Sequence, residues 1–208
     1  MDIKHRETGE VLLQVDAPTL AGLNLQRKQL LYADFAGFDL SGTDLHNADL
    51  RFADFSNSVL KKTDLSGASL NDAIFVHAKM QEANLTDSYA VGAKFCEAQM
   101  NGAILRYAKL STCDFSGADM MRSDLSMADL RARFNDATMI HANMQGADLT
   151  GANLTGANLS MANLHDAKLA DVALTRTKMD GAIGPLGQRM GAAGPRSRRK
   201  RPWWQFWG

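Results

Sequence analysis

Large apolar residues recur at every fifth position along most of the chain. One series runs from Leu20 to Leu130, and it resumes one residue out of phase at Phe134 and continues to Met179. A small residue, usually Ala, lies two positions before each large residue, and Asp or Asn usually lies between the two. Residues two apart point to the same face of an extended strand. The pattern predicts short strands with one large and one small residue inward and one polar residue outward.

An α-helix does not fit this period. Five residues rotate a helix by about 500°, so the large residues would spread around it and form no apolar stripe. The two remaining residues of each unit are often Ser-Gly or Thr-Gly, as at Ser41–Gly42 and Thr150–Gly151, which favours a turn. Each unit is therefore predicted to be one side of a coil.

A longer period indicates the number of sides. Phenylalanine occupies the large position at 20-residue intervals, and after a one-residue deletion near Arg133 the interval becomes 19; these residues are Phe35, Phe55, Phe75, Phe95, Phe115 and Phe134. Met80, Met100, Met120 and Met139 form a second such series. Twenty residues are four units, so we expect four-sided coils stacked about 4.8 Å apart, within the range of aromatic contact.

In these repeats the chain resembles the pentapeptide-repeat family over residues 20–181. The resemblance implies an all-β fold, a right-handed quadrilateral β-helix, which is a β-solenoid, of about eight four-sided coils. It does not imply a single function.

Four segments are expected. Residues 1–19 are predicted to form an N-terminal β-hairpin cap, because the end of a β-solenoid is an exposed edge. Residues 20–181 form the solenoid, and residues 182–195, rich in Gly, Ala and Pro, are predicted to be a flexible linker. Residues 196–208 form a basic, Trp-rich tail.

The composition of the chain indicates its cellular location and its charge distribution. No run of 18 apolar residues and no secretory signal is recognisable, and two cysteines do not suggest a disulfide framework. We therefore expect a cytoplasmic protein, or one that is peripheral at the inner membrane. The zero net charge conceals an asymmetry. Residues 1–181 hold all 23 acidic residues and carry a net charge of −6, whereas residues 182–208 carry +6.

Catalysis is not predicted. Most carboxylates occupy the outward position because the repeat places them there, whereas an acid–base pair is a singular, desolvated constellation. The five histidines are scattered without metal-ligand spacing, and no phosphate-binding loop or nucleophile motif occurs. We expect no catalytic residue, no cofactor and no metal.

A candidate partner site lies where the outward positions depart from Asp and Asn. Exposed apolar and basic residues in the middle of a solenoid can mark a binding surface, and an alternative is sequence drift on a tolerant scaffold. The candidates, on different sides of the coil, are Ile74, Val76, Tyr89, Val91, Lys94, Ile104, Arg106 and Tyr107.

The tail contains all three tryptophans of the protein. Basic residues next to tryptophans favour an anionic membrane surface; the alternatives are a linear motif for a protein partner, nucleic acid binding and a disordered solubility tail. The residues concerned are Arg196, Arg198, Arg199, Lys200, Arg201, Trp203, Trp204, Phe206 and Trp207.

The leading functional hypothesis is a non-enzymatic scaffold that binds an unknown protein partner, with the tail as a tether to a membrane or to that partner. The alternative comes from the resemblance, since some pentapeptide-repeat proteins are DNA mimics that bind type II topoisomerases such as gyrase. Lysines and arginines interrupt the acidic surface of the body, and nucleic acid is not an expected partner of the solenoid itself. A third class, end-to-end filaments, conflicts with the predicted cap and linker.

Overall fold

Successive five-residue units pair through short parallel β-bridges rather than long strands. The structure is a computed structural model and describes residues 1–191. Bridged partners in it lie 20 residues apart, as in Asp44 with Asp64 and Asp64 with Asn84. Residues 1–191 contain no helix. The chain is therefore an all-β coil, a β-helix, in which four units separate each bridged pair.

Within residues 1–191, three strands are longer than a single bridge. They are β1 (Asp2–His5), β2 (Val11–Gln14) and β3 (Ala33–Asp34), and they form one sheet in the order β2-β1-β3. Strand β1 is antiparallel to both neighbours, with Ile3 opposite Leu13 and Lys4 opposite Asp34. Ile3 is fully buried. The N-terminal residues thus extend the coil by hydrogen bonding and contribute to its core.

The side chain of the outward Asp or Asn caps the corner that follows it with a hydrogen bond. In one representative unit, the N–H groups of Asp64 and Leu65 donate to the preceding and the following coil, at 3.0 and 2.7 Å, and the Gly67 N–H also donates to the following coil. The Ala68 N–H closes the corner on the Leu65 carbonyl at 3.1 Å. The remaining N–H, that of Ser66, donates to Oδ1 of Asp64 at 2.9 Å, which is an Asx turn. The side chain therefore satisfies the one backbone donor that the coil cannot.

The predicted phenylalanine stack is present in the core. Neighbouring ring centroids lie 4.7 to 5.0 Å apart, and adjacent planes differ by at most 12°. All six rings, from Phe35 to Phe134, are fully buried. Such spacing matches the rise between coils, so one aromatic column runs through six consecutive coils.

The one-residue deletion is absorbed at a single corner. The Ala132 N–H donates to the Leu130 carbonyl at 2.7 Å, a three-residue γ-turn, whereas other corners bond to the carbonyl three residues earlier. Bridged partners are then 19 residues apart, as in Asp114 with Arg133, and return to 20 at Arg133 with Asn153. The shortened corner keeps the inward residues in register, as the change of interval predicts.

The C-terminal end of the described chain corrects the predicted linker. The solenoid bridges extend to Ile183, and residues 182–191 turn back so that Ile183 pairs antiparallel with Arg189. Met190 is buried, and its N–H donates to the Ala182 carbonyl at 2.8 Å. The described part of the segment 182–195 is thus a packed turn rather than a flexible linker, and its apolar side chain Met190 covers part of the end of the coil.

This turn covers only one side of the last coil. The Leu164 N–H donates to the Ile183 carbonyl at 2.8 Å. The equivalent N–H groups of Leu169, Leu174 and Met179 have no backbone partner within residues 1–191. The first coil is similar, because β1 pairs with only its Ala33–Asp34 side, and the N–H groups of Asn24, Gln29 and Asp39 also have no backbone partner within residues 1–191.

Candidate interaction surface

The middle coils lack the corner-capping side chain at several outward positions. Ile74, Tyr89 and Ile104 stand where Asp or Asn is usual, and none can accept a hydrogen bond from the corner. The Val91 N–H instead donates to Oδ1 of Asn71 at 3.0 Å. The N–H groups of Val76 and Arg106 have no acceptor among the described residues. In this part of the β-helix, apolar side chains therefore stand in place of hydrogen-bond acceptors, and some backbone N–H groups at the corners have no acceptor among the described residues.

Exposed large apolar side chains are concentrated in the same region. Within residues 1–191, nine large apolar side chains are exposed, and five of them lie between positions 89 and 127. The exposed fractions of Tyr89 and Tyr107 are 54% and 43%. The five residues are Tyr89, Val91, Ile104, Tyr107 and Met127. Clustering of this kind on a monomer marks interaction sites more often than scattered single residues do.

The structure brings most of the sequence-predicted residues onto neighbouring sides of the coil. Tyr89 is bridged to Lys109, and the Asp87 N–H donates to the Arg106 carbonyl, so the segment 106–109 lies directly on the segment 86–89. Ile104 occupies the side before this corner, and Val91 and Lys94 follow on the next corner and side along the chain. These positions form a strip that follows three successive sides of the coil, so that Ile104 and Lys94 lie two sides apart.

Two predicted residues lie at the margin of this strip. Ile74 is bridged to Lys94 from the preceding coil, and Val76 occupies the corner beyond it. Both side chains are partly buried rather than exposed. We use the name mid-solenoid surface for the central residues Tyr89, Val91, Ile104, Arg106, Tyr107 and Met127.

Met127 was not singled out from the sequence. The Tyr107 N–H donates to the Ser126 carbonyl at 3.1 Å, so Met127 occupies the same corner as Tyr107 in the next coil. Its side chain is 54% exposed and its sulfur lies over Gly146. The sequence signal was the 20-residue spacing between positions 107 and 127, which identifies one column of corner residues.

Charges near the surface are unevenly paired. Arg106 lies 3.9 Å from the carboxylate of Asp124 and 5.7 Å from the ring centroid of Tyr107, both weak contacts at an exposed site. Arg131 binds Asp129 through Nε and Nη2 at 2.8 and 2.7 Å. The Arg131 guanidinium lowers the pKa of Asp129 through these hydrogen bonds.

Two shallow hollows flank the strip. One, of about 480 Å³, lies beside Tyr89 where Ser69 and Asn71 leave room. The other, of about 440 Å³, lies at the shortened corner and is lined by Lys94, Arg131 and Arg133 together with Gly92, Thr112, Asp114, Ala132, Gly151 and Asn153. Both are open grooves, suited to side chains of a partner rather than to an enclosed small molecule.

The described residues show no arrangement suited to catalysis. Burial raises the pKa of the Cys113 thiol to about 12, and burial is also the main cause of the raised pKa of Cys96, so neither thiol is activated as a nucleophile. Within residues 1–191, no group of three or more His, Cys, Asp or Glu side chains could hold a metal ion. No helix in the described part of the chain is long and apolar enough to cross a membrane.

The basic, Trp-rich tail at 196–208 lies outside the described residues. Its predicted binding residues, from Arg196 to Trp207, therefore have no structural placement, and they stay a prediction from composition.

The repeated segments match the model of a known protein family. A family model described as pentapeptide repeats matches in eight copies, with matched segments at 24–61, 48–87, 78–117, 98–132, 132–171 and 147–183. No curated protein matches the sequence.

Solved structures with similar repeats were also found. A trypsin-treated form of QnrB1, a plasmid-mediated fluoroquinolone resistance protein, is 23% identical with a TM-score of 0.52 and covers 79% of this chain and 90% of its own. HetL, a pentapeptide-repeat protein involved in heterocyst differentiation regulation in the cyanobacterium Nostoc, is 29% identical with a TM-score of 0.29, over 84% of this chain and 94% of its own.

Proposed function

Because the chain belongs to the pentapeptide-repeat family, we propose that it is a non-enzymatic scaffold that binds a protein partner through the mid-solenoid surface. The proposed architecture is a right-handed quadrilateral β-helix of about eight coils, with residues 1–19 as its cap. The parallel bridges at 20-residue intervals and the pairing of β1 with β3 support this architecture. The stacked phenylalanines favour a rigid rod, since each coil is fixed by its neighbours.

One observation carries the functional proposal. Tyr89 and Ile104 replace the corner-capping Asp or Asn and are exposed together with Tyr107 and Met127. A capping side chain stabilises its corner by a hydrogen bond, typically about 1 kcal/mol. Its loss at neighbouring positions, in exchange for exposed aromatic and aliphatic groups, is explained if these groups contact a partner. Tyrosine in particular contributes large contact area at low conformational cost.

The test is affinity capture with chemical cross-linking from the native cell extract, comparing Ile104→Asp/Tyr107→Asp with the wild-type chain. The matched control is Met161→Asp, because Met161 is 55% exposed and also occupies the second position of a corner, away from this surface. We expect the double variant to lose a specific cross-linked protein that the control retains. Equal recovery with all three proteins would overturn the surface assignment, provided that circular dichroism shows equal folding.

A second proposal is a DNA-mimic modulator of a type II topoisomerase. It is favoured by bridged carboxylates in the first coils, Asp34 with Asp54 and Asp44 with Asp64, and by the net charge of −6 over residues 1–181. Lys94, Lys109 and Arg106 weaken it, because they interrupt that charge in the middle coils. A supercoiling assay with purified gyrase decides: inhibition that depends on Asp44 and Asp64 supports mimicry, and unchanged supercoiling rejects it.

The tail suggests a tether to an anionic membrane surface, and hence a peripheral location at the inner membrane. Support comes from its sequence, since five basic residues precede three tryptophans within positions 196–207. The measurement is co-sedimentation with anionic and neutral vesicles, comparing the full chain with residues 1–191. The truncation falls after residue 191 so that the packed turn with Met190 is kept. Binding by both forms, or by neither, would reject the tether.

A further inference from the structure

We propose that the mid-solenoid surface takes an acidic protein segment, whose carboxylates bind beside Lys94 and Lys109 and at the shortened corner. The inference rests on the proposed function and names the chemistry of the partner. It follows from how charges and hydrogen-bond donors are distributed around the apolar strip.

Two lysines flank the strip without an ion pair. Lys94 and Lys109 are exposed, and each is bridged to a residue in the next coil that carries a carboxylate, Asp114 and Asp129 respectively. Two coils further along the column of Lys109, such neighbours do pair, as Lys168 does with Asp148 at 3.3 Å. Neither Lys94 nor Lys109 has a carboxylate within 4.0 Å among the described residues, which leaves both ammonium groups available.

The reason is that two arginines bind those carboxylates instead. Arg131 takes Asp129, and Arg133 takes Asp114. The carboxylate side chains are only 17% and 19% exposed, whereas the arginine side chains are 53% and 65% exposed. Both arginines flank the one-residue deletion; Arg131 binds the carboxylate two residues before it, as Arg51 binds Asp49 at an ordinary corner. The guanidinium groups cover the two acids, and the two unpaired lysines beside them leave an excess of positive charge at this surface.

The hollow at the shortened corner completes a carboxylate site. Lys94, Arg131 and Arg133 line it, and Gly92 and Gly151 keep it open. Arg131 uses only Nε and Nη2 for Asp129, so Nη1 has no hydrogen-bond partner within residues 1–191. A guanidinium with a remaining N–H edge is well suited to a second carboxylate.

Open backbone donors point to the same partner chemistry. The Arg106 N–H has no acceptor because Ile104 replaced the capping side chain, and the Ser111 N–H has none because Lys109 did so. Such groups need acceptors when a partner excludes water from them. An acidic segment supplies carboxylate and carbonyl oxygens, while its apolar residues cover Tyr89, Ile104 and Tyr107.

Nucleic acid fits this surface less well. A duplex presents about one phosphate per 1.7 Å, and the body around the few cations carries a net charge of −6 over residues 1–181. Asp72 and Asp87 are exposed on the N-terminal side of the strip. They would repel a continuous polyanion, but they leave room for a short acidic segment that lies toward Lys109 and the shortened corner.

The experiment selects peptides from a phage-displayed library of random 12-residue sequences on the full chain. The enriched peptides are then measured by fluorescence anisotropy against Lys94→Glu/Lys109→Glu and the control Lys168→Glu. Lys168 is on the same side as Lys109 and is also exposed. We expect enrichment of Asp and Glu next to apolar residues. The double variant should bind about fivefold to tenfold more weakly, because it loses two exposed ion pairs with the peptide; the control should bind normally.

Separate outcomes distinguish this inference from the proposed function. Peptides that lose binding to Ile104→Asp/Tyr107→Asp but bind the lysine variant normally would overturn the acidic chemistry and leave the surface intact. Peptides insensitive to both variants would overturn the inference together with the surface. A labelled 20-base-pair DNA duplex is the remaining probe: tight binding lost in the lysine variant would assign the cations to nucleic acid instead.

Discussion

Replacing Phe95 by alanine tests how far the aromatic column stabilises the β-helix. Phe95 is fully buried, and its ring lies 4.7 Å from that of Phe75 and 4.8 Å from that of Phe115. Truncation removes the buried ring and breaks the column at its middle. Because each ring contacts both neighbouring coils, the substitution weakens two interfaces between coils at once.

The magnitude follows from these contacts. A buried Phe→Ala substitution costs about 3–5 kcal/mol, depending on how far the site collapses. Two stacked neighbours, each contributing about 0.5–1.5 kcal/mol, place Phe95 toward the upper end. Phe95→Leu should cost about 1–1.5 kcal/mol, because leucine occupies the same column at Leu154 and Leu174.

The assay is equilibrium urea unfolding of the full chain followed by far-ultraviolet circular dichroism, with the slope compared between variants to detect loss of cooperativity. Phe35→Ala is the matched control, because Phe35 is equally buried but stacks on only one phenylalanine, Phe55 at 4.9 Å. We expect it to cost about 1 kcal/mol less than Phe95→Ala. A cost below about 2 kcal/mol for Phe95→Ala, or no difference from Phe95→Leu, would refute the role of the column.

Three further substitutions or conditions test the corners. Asp64→Ala should lose about 1 kcal/mol of unfolding free energy in urea while Asp64→Asn loses less, because the amide oxygen can still accept the corner N–H; equal losses would contradict the cap. The hydrogen bonds from Arg131 lower the pKa of Asp129 below its ordinary value of 3.8, so this stabilisation is present above pH 3.8 and is lost as the pH falls through the lower folded-state pKa. Urea midpoints should therefore fall more steeply between pH 5 and pH 2 for the wild type than for Arg131→Leu, and parallel curves would reject this coupling. Met161 is exposed and has a φ of 61°, so Met161→Gly should raise the free energy of unfolding by up to about 1 kcal/mol, measured by thermal unfolding. Ser160 lies outside the left-handed region, so Ser160→Gly should lower the stability. The reverse order would show that the corner is unstrained.

The sequence predicted the core well because one repeat specifies it many times. Five-residue spacing identified the inward positions, and the 20-residue series of phenylalanines predicted a stack that the structure contains. The deletion near Arg133 was visible as a change of interval. Its consequence was not, because a γ-turn at Ala132 and the pairing of Arg133 with Asp114 depend on corner geometry rather than on residue spacing.

The corners and the surface were harder to predict. Ser-Gly pairs indicate turns, but the same left-handed position also holds Phe52, Tyr107 and Met127, with φ of 60° to 61°. The stacking of coils holds these residues in a conformation that local propensity disfavours. The interaction surface required knowledge of which sides are adjacent, and Met127 was missed because its one periodic signal, the 20-residue spacing from Tyr107, falls at a corner position rather than at the outward position. The turn at 182–191 was missed because its Gly and Pro residues are also typical of flexible linkers.

The pairing of β1 with β3 gives the first coil a partner at an early stage of synthesis. Strand β1 binds β3 early in the chain, so the first coils have a partner as soon as about 35 residues are available. Every later coil adds onto a finished edge, while the last one leaves the N–H groups of Leu169, Leu174 and Met179 without partners in the described structure. Amide exchange should therefore be faster in the two end coils, where backbone N–H groups lack partners within residues 1–191, than in the middle coils. As the chain leaves the ribosome, each finished coil can serve as the template for the next.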